Sequence, residues 1–185
     1  MVTLPISLPF MAILSLFIAL DGHSPFFRQE RIGKDGRRFL IWKFRTMLPN
    51  AEDLLDRHLA ENEGARQEWD TKQKLSADPR VTRIGALLRR SSLDELPQLL
   101  NVLKGEMSLV GPRPMLPCQQ ALYPGKSYYM LRPGMTGSWQ VSARNAAEFA
   151  DRAEFDDSYF ARLTFGADIR ILFQTAAVVV RGTGV

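Results

Sequence analysis

The chain is poor in the groups that most often carry chemistry in proteins. Cys118 is its single cysteine, so no intrachain disulfide can form and no cysteine cluster can hold zinc. His23 and His58 are the only histidines, which excludes a multi-histidine metal site and argues against a histidine base. Neither a G-x-x-x-x-G-K-[ST] loop nor a G-x-G-x-x-G turn occurs, so any nucleotide is held without a P-loop or a dinucleotide fold. Internal repeats and low-complexity tracts are absent as well. Charge is missing from residues 2–20, where Thr3, Ser7 and Ser15 are the only polar side chains.

That uncharged stretch is just long enough to cross a bilayer core of about 30 Å. Pro5 and Pro9 interrupt it, no cation precedes it, and Arg28, Arg31, Lys34, Arg37 and Arg38 follow it. Positive charge on the trailing side predicts that everything after residue 20 stays cytoplasmic. A span and a kinked helix that enters and leaves on one face fit equally well. A cleaved signal peptide would need a basic lead and an A-x-A site, and a buried core helix suits an exposed N-terminus poorly. The expectation is a membrane-associated helix over residues 1–20 and one cytoplasmic domain over 21–185. What remains after the apolar segment is enough for a core of its own. The net charge of +4 suits an anionic membrane surface, phosphorylated substrates or nucleic acid.

The most informative segment is RRSSLDELPQLLNVLKGEMSLVGPRP, residues 89–114. Leu96, Leu99, Leu100 and Leu103 recur at i, i+3, i+4 and i+7, which predicts a helix over 94–104 with that stripe buried. Pro97 is comfortable only in a first turn, so Ser92 or Asp94 is the expected cap, and Asp94 and Glu95 fall where backbone N–H groups lack partners. The helix dipole favours negative charge there by roughly 0.3–1 kcal/mol, and Arg89 and Arg90 add to it, so Asp94 is expected to be ionised. Ser92-Leu93-Asp94-Glu95 also fits an ordinary capping box, which would make the acids structural. Two stiff arginine-bearing turns weigh against that reading: Gly111-Pro112-Arg113-Pro114 and Arg132-Pro133-Gly134-Met135-Thr136-Gly137. A guanidinium on a stiff loop suits bidentate phosphate binding.

Elsewhere, residues 39–47 are rich in strand formers and put Lys43 and Arg45 on one face. Asn50 is the expected cap of a helix to about residue 62, with Leu54, Leu55 and Leu59 on one side. Residues 61–74 form a solvated helix or loop, and 78–83 a turn into a short helix over 84–90. Residues 155–163 and 171–180 read as helices or extended apolar segments, better suited to core than to lipid. The fold class is mixed α/β with helices dominating.

In order along the chain stand FFRQERIG (26–33), KFRTM (43–47), DPRVTRIG (78–85), SLDELPQLLNVLKGEMSLVGPRP (92–114), LRPGMTG (131–137) and WQV (139–141). This set resembles the bacterial sugar transferase family, the monotopic phosphoglycosyl transferases, over nearly the whole chain. The resemblance implies an enzyme that moves a hexose-1-phosphate from a UDP-sugar to polyprenyl (undecaprenyl) phosphate at the cytoplasmic face of the bacterial inner membrane. That step begins an exopolysaccharide, O-antigen or capsule-type glycan. It further implies a small catalytic domain, Asp94 as covalent nucleophile beside Glu95, magnesium held partly by these two, and a re-entrant monotopic N-terminal helix broken near Pro9.

On these residues the implied chemistry is coherent. Asp94 would attack phosphorus, expel the nucleoside monophosphate, and be released when the lipid phosphate opens the acyl phosphate. Two anions must meet, so magnesium and cations are needed, whereas a base is hardly required because the acceptor phosphate is already ionised. Glu95 is then a metal ligand or positioning group. Lys43, Arg45, Arg89, Arg113 and Arg132 are the phosphate candidates, and Gln140, Arg144 and Asp156 those for nucleotide or sugar. Arg28, Arg31, Arg37 and Arg38 are assigned to lipid head groups, worth about 1 kcal/mol each.

Members of the family usually carry a longer, basic lead before the helix break, and some place a serine where Leu8 stands. Here the chain opens close to Pro5, leaving either a shallower anchor or a shortened start. A homodimer is left open. The alternatives are a membrane-tethered, non-catalytic basic module binding anionic lipid or nucleic acid, and a hydrolase of lipid-linked glycans. The arginines form no basic stripe and no nucleic-acid motif occurs, so no nucleic acid is expected as partner.

Overall fold

A computed structural model of the chain describes residues 4–20, 22–142 and 148–180. Helix α1 (Leu4–Ala19) turns Met11, Leu14 and Ile18 inward, where they pack with Phe44 and Leu88 and against Phe26, Leu93 and Leu96. Leu8, Phe10, Ile13, Leu16 and Phe17 stay exposed, Leu16 at 72%, as does Leu20 just past the helix at 79%. Pro9 lies inside α1, and the helix continues on both sides, so the ring removes a backbone donor without ending the element. Among the described residues no helix is long and apolar enough to cross a membrane.

Strands β1 (Phe26–Ile32) and β2 (Arg38–Phe44) pair antiparallel, Phe26 opposite Phe44 and Ile32 opposite Arg38. The turn between them is closed by Asp35 and Gly36 at φ 57° and 73°. The sequence reading carries β2 as far as residue 47, but the strand ends at Phe44, and β1 goes unforeseen because Arg28, Glu30 and Arg31 mask its alternation. Past β2 the chain folds back on the segment before α4 (Arg83–Arg90): Met47 bridges Val81, and the Thr82 N–H donates to the Thr46 carbonyl at 2.9 Å. Gly85 is required there, since a Cβ would fall 2.0 Å from the Thr46 carbonyl oxygen. Helices α2 (Ala51–Glu61) and α3 (Glu63–Lys72) form a peripheral pair, the second capped by Asn62, whose side chain accepts from the Ala65 N–H.

The expected helix over 94–104 is instead a tight 3-10 turn, Leu93–Gln98, followed by α5 (Leu99–Leu103). Its leucine stripe is not what is buried. Leu103 is 54% exposed, while Asp94, Pro97, Gln98 and Asn101, themselves at i, i+3, i+4 and i+7, face inward. The cause is the open edge of β2. Asn101 accepts the Trp42 N–H at 3.0 Å and donates to the Leu40 carbonyl at 2.8 Å and the Glu106 carboxylate at 2.7 Å. A strand edge that needs partners outweighs the full burial of Leu96, Leu99 and Leu100, which stay partly buried.

Strands β3 (Ser108–Val110) and β4 (Gly134–Thr136) pair in parallel, bringing the GPRP and LRPG turns side by side. Around them lie α6 (Ser127–Met130), α7 (Ser138–Ser142), α8 (Arg152–Ala161) and α9 (Phe165–Val180). Ile32, Met115, Tyr123, Tyr128, Phe149 and Ala153 form one core cluster, and Val110, Tyr159 and Ile171 another. The expectation of core for 171–180 holds on one face only. Ile171 is buried and Thr175 hydrogen-bonds Thr136 at 2.7 Å, but Phe173 is 74% exposed. The architecture is mixed α/β and helix-dominated, as expected.

Candidate active site

Docking of Asn101 on β2 sets the acidic turn against the strand face that carries Lys43. The Lys43 ammonium donates to a Glu95 carboxylate oxygen at 2.8 Å and stands 4.0 Å from Asp94. Arg113, projected from the GPRP turn, lies 3.3 Å from the same Glu95 oxygen. Arg89, on the last turn of α4, donates its Nε–H to Thr46 Oγ1 at 3.0 Å and adds to the positive field at Asp94. The arrangement is therefore a carboxylate pair inside a ring of three cations.

Asp94 is 8% exposed. Burial pushes its carboxyl up from the ordinary range and the adjacent Glu95 pushes the same way, against the pull of Lys43, Arg89 and Arg113. The sequence reading has the helix start lowering that group. One 3-10 turn supplies too little dipole to offset the loss of water. A carboxylate raised in this manner is more basic and so a better nucleophile once ionised.

Arg31 corrects another expectation. Assigned to lipid head groups on sequence, it lies inside the domain, donating to the Pro114 carbonyl at 3.2 Å and to Gln29 at 2.7 Å. With Ile41, Lys43, Glu95, Gln98, Arg113 and Gly134 it lines a small polar hollow next to the acidic pair, and burial lowers it to about 10. Arg28 does face outward, over the Trp42 ring at 5.0 Å, and Arg38 pairs with Glu30 at 3.1 Å on the surface. Sequence reasoning misses Gln98 and Asn101 too. The signal was present, since both repeat with Asp94 at helical spacing.

The other candidates separate in space. Arg45 turns from Lys43 to donate to the Ser24 and Ile18 carbonyls at 2.8 and 3.2 Å, at the end of α1. There it lines a groove of about 410 Å3 with Phe17, Ile18, Leu20, Thr82, Arg83 and Ile84. Lys43 and Arg45 leave one face because the strand stops at Phe44. Arg132 is exposed and is not among the groups around the acids. Gln140 is buried at 6%. Asp156 is buried at 5%, accepts the Tyr123 hydroxyl at 2.7 Å, and is raised to about 6 by burial. Arg144 lies outside the described residues.

Among the described residues no group of three or more acidic, histidine or cysteine side chains could enclose a metal. Magnesium does not require one, because it keeps most of its waters and takes one or two carboxylates together with substrate phosphate oxygens. Asp94 and Glu95 fit that pattern.

In this small helix-rich domain a buried Asp94 and a partly buried Glu95 stand among guanidinium and ammonium groups, an arrangement that offers anions a site. The description of the bacterial sugar transferase family matches residues 1–182, and the chain belongs to that family. Relatives include a UDP-galactose-lipid carrier transferase of Erwinia amylovora, 47% identical over 179 residues, which are 96% of this chain and 38% of the relative. An undecaprenyl-phosphate galactose phosphotransferase of Salmonella typhimurium is 45% identical over 181 residues, 97% of this chain and 38% of the relative. The exopolysaccharide production protein ExoY of Rhizobium meliloti is 44% identical over 177 residues, 95% of this chain and 78% of that protein. The chain thus spans little more than a third of the first two.

Proposed function

We propose that the chain is a phosphoglycosyl transferase that moves a hexose-1-phosphate from a UDP-sugar to polyprenyl phosphate through a covalent Asp94 intermediate. The observation that carries this reading is the buried Asp94 carboxylate, made more basic by loss of water and ringed by Lys43, Arg89 and Arg113. The names of its relatives, a UDP-galactose-lipid carrier transferase and an undecaprenyl-phosphate galactose phosphotransferase, support the donor and acceptor classes.

In the first half-reaction an Asp94 oxygen forms a bond to the sugar-bearing phosphorus, and the bond from that phosphorus to the bridging oxygen breaks. Uridine monophosphate leaves with the electron pair. In the second, an oxygen of the lipid phosphate attacks the same phosphorus and Asp94 departs as carboxylate. No proton must move when nucleophile and acceptor both react as anions. Lys43 and Arg113 hold Glu95 in place and offset the charge gathered beside Asp94. Magnesium, held by Asp94 and Glu95, would supply further charge neutralisation at the phosphates.

The reading includes attachment to the cytoplasmic face of the inner membrane through α1 as a re-entrant helix. It is supported by the exposed apolar side chains of α1 and α9, and by the groove beside Arg45 and Arg83, which suits an isoprenoid chain with an anionic head. The test uses a UDP-hexose labelled in the sugar phosphate, with magnesium and lipid acceptor. Label is expected on the wild-type protein without acceptor and in the lipid extract with it. Asp94→Asn is expected to give neither product while still binding UDP-hexose, and Glu95→Gln to lose most of its turnover. Normal turnover by the Asp94→Asn protein would remove the covalent step.

A further inference from the structure

Arg152, at the start of α8, has no role in the chemistry above, yet its surroundings are costly ones. Its guanidinium lies 4.2 Å from the centre of the Trp139 ring and 4.4 Å from that of Phe149, and burial with the nearby Arg113 lowers it to about 9. Among the described residues its side chain makes no hydrogen bond and no ion pair, and its Nε–H is buried without an acceptor. Asp156 attracts it without reaching it.

An arginine that only packs on rings is normally anchored at its polar end, because a buried N–H without an acceptor, here Nε–H, loses hydration for nothing. The neighbours repeat the pattern. Arg31 Nε, Trp139 Nε1 and Gln140 Nε2 are buried donors without acceptors, against a single orphan acceptor, Gln140 Oε1. The charge of Arg113 lowers both Arg31 and Arg152, Arg31 acts on Arg152 in the same sense, and Arg113 touches Glu95. An excess of unfilled donors beside three guanidiniums calls for a ligand rich in acceptors and negatively charged. Contact with the two rings restricts the Arg152 guanidinium, which reduces the entropy it would lose on binding a phosphate.

We propose that Arg152, backed by Arg31 and Arg113, is a phosphate-binding residue for the substrates: it holds the phosphate group that Asp94 does not attack. This rests on the transferase reading. The phosphate is either that of the nucleotide half of the donor or that of the lipid acceptor, and kinetics tell the two apart.

The full chain in detergent is assayed as wild type, Arg152→Met, which keeps an unbranched side chain between the rings, and Arg152→Lys, which keeps charge but not the fork. Arg152→Met is expected to raise one KM by about tenfold or more, the loss of a charge-assisted hydrogen bond, with Arg152→Lys intermediate. A rise for UDP-hexose alone assigns the donor phosphate, and a rise for polyprenyl phosphate alone the acceptor. Both KM values staying at wild type in a folded Arg152→Met protein would overturn the assignment, because a purely packing arginine changes the thermal midpoint and not the substrate affinities. A second measurement needs no variant. Phenylglyoxal modification of Arg152 in the wild-type protein, read by peptide mass, is expected to slow about tenfold at UDP or short-chain polyprenyl phosphate concentrations about ten times Kd. Equal labelling with and without both ligands would also overturn it. A wild-type protein that transfers no sugar phosphate would sink the transferase reading alone, and the protection experiment would still report on Arg152.

Discussion

Asp94 and Asp156 are both acids deprived of water, and their neighbours assign them different work. Asp94 has cations close by, and its neighbour Glu95 lines the hollow with Lys43 and Arg113. Asp156 has the Tyr123 hydroxyl at 2.7 Å, with Arg152 and Asp157 acting at longer range. Its folded value of about 6 lies above the ordinary 3.8, so the native state holds this proton more tightly than the unfolded chain does. Stability is therefore present below the unfolded value and falls as pH rises from about 4 to about 6, by roughly 2–3 kcal/mol at most. Urea midpoints across that range are expected to decline in the wild type and to decline less in Asp156→Asn, with the difference constant above about pH 7. Parallel profiles would mean that Asp156 keeps an ordinary value. Asp94 also contributes to the wild-type slope, but equally in both proteins.

Among the elements, the decisive contact is the one between the acidic turn and the edge of β2. The Trp42 N–H and the Leu40 carbonyl have no strand on that side, and the Asn101 amide serves both. Asn101→Leu leaves a partly buried donor and acceptor without their partner and is expected to cost about 1–3 kcal/mol, read from denaturant midpoints. Activity is expected to fall further than stability alone accounts for, since Asp94 and Glu95 ride on the turn that Asn101 secures. The β3–β4 pair does the same for the arginine turns. Gly134 and Gly111 approach so closely that a Cβ on Gly134 would sit 2.1 Å from the Gly111 nitrogen, and this contact places Arg113 over Glu95.

For the molecule as a whole, the apolar surface that remains uncovered is large and divided between the two ends of the chain. Leu8, Ile13, Leu16, Phe17 and Leu20 belong to α1 and its end, and Phe165, Ile169 and Phe173 to α9. Single exposed hydrophobics mean little, but runs of them along two helices mark a surface that something covers. Leu16→Glu and Phe173→Glu are expected to lower co-sedimentation with anionic lipid vesicles while leaving the thermal midpoint within about 2 °C, because neither side chain is packed against the domain. Unchanged sedimentation of both variants would remove these faces from membrane contact.

Local sequence was enough for the helix-dominated class, the helix capped near Asn50, the short helix ending at Arg90, the acidic pair and the arginine of the GPRP turn beside it, though not for Arg132. Each of these is written in local terms: a cap, a period, a proline or a glycine that only a few backbones accept. Tertiary structure alone decided that Asn101 rather than Leu103 faces inward, that Arg31 is drawn into the site while Arg45 is sent to the end of α1, and that Asp94 loses its water. Those outcomes depend on which strand edge lacks a partner and which side chain finds an acceptor there, and these are relations between segments distant in the chain, which no run of neighbouring residues encodes.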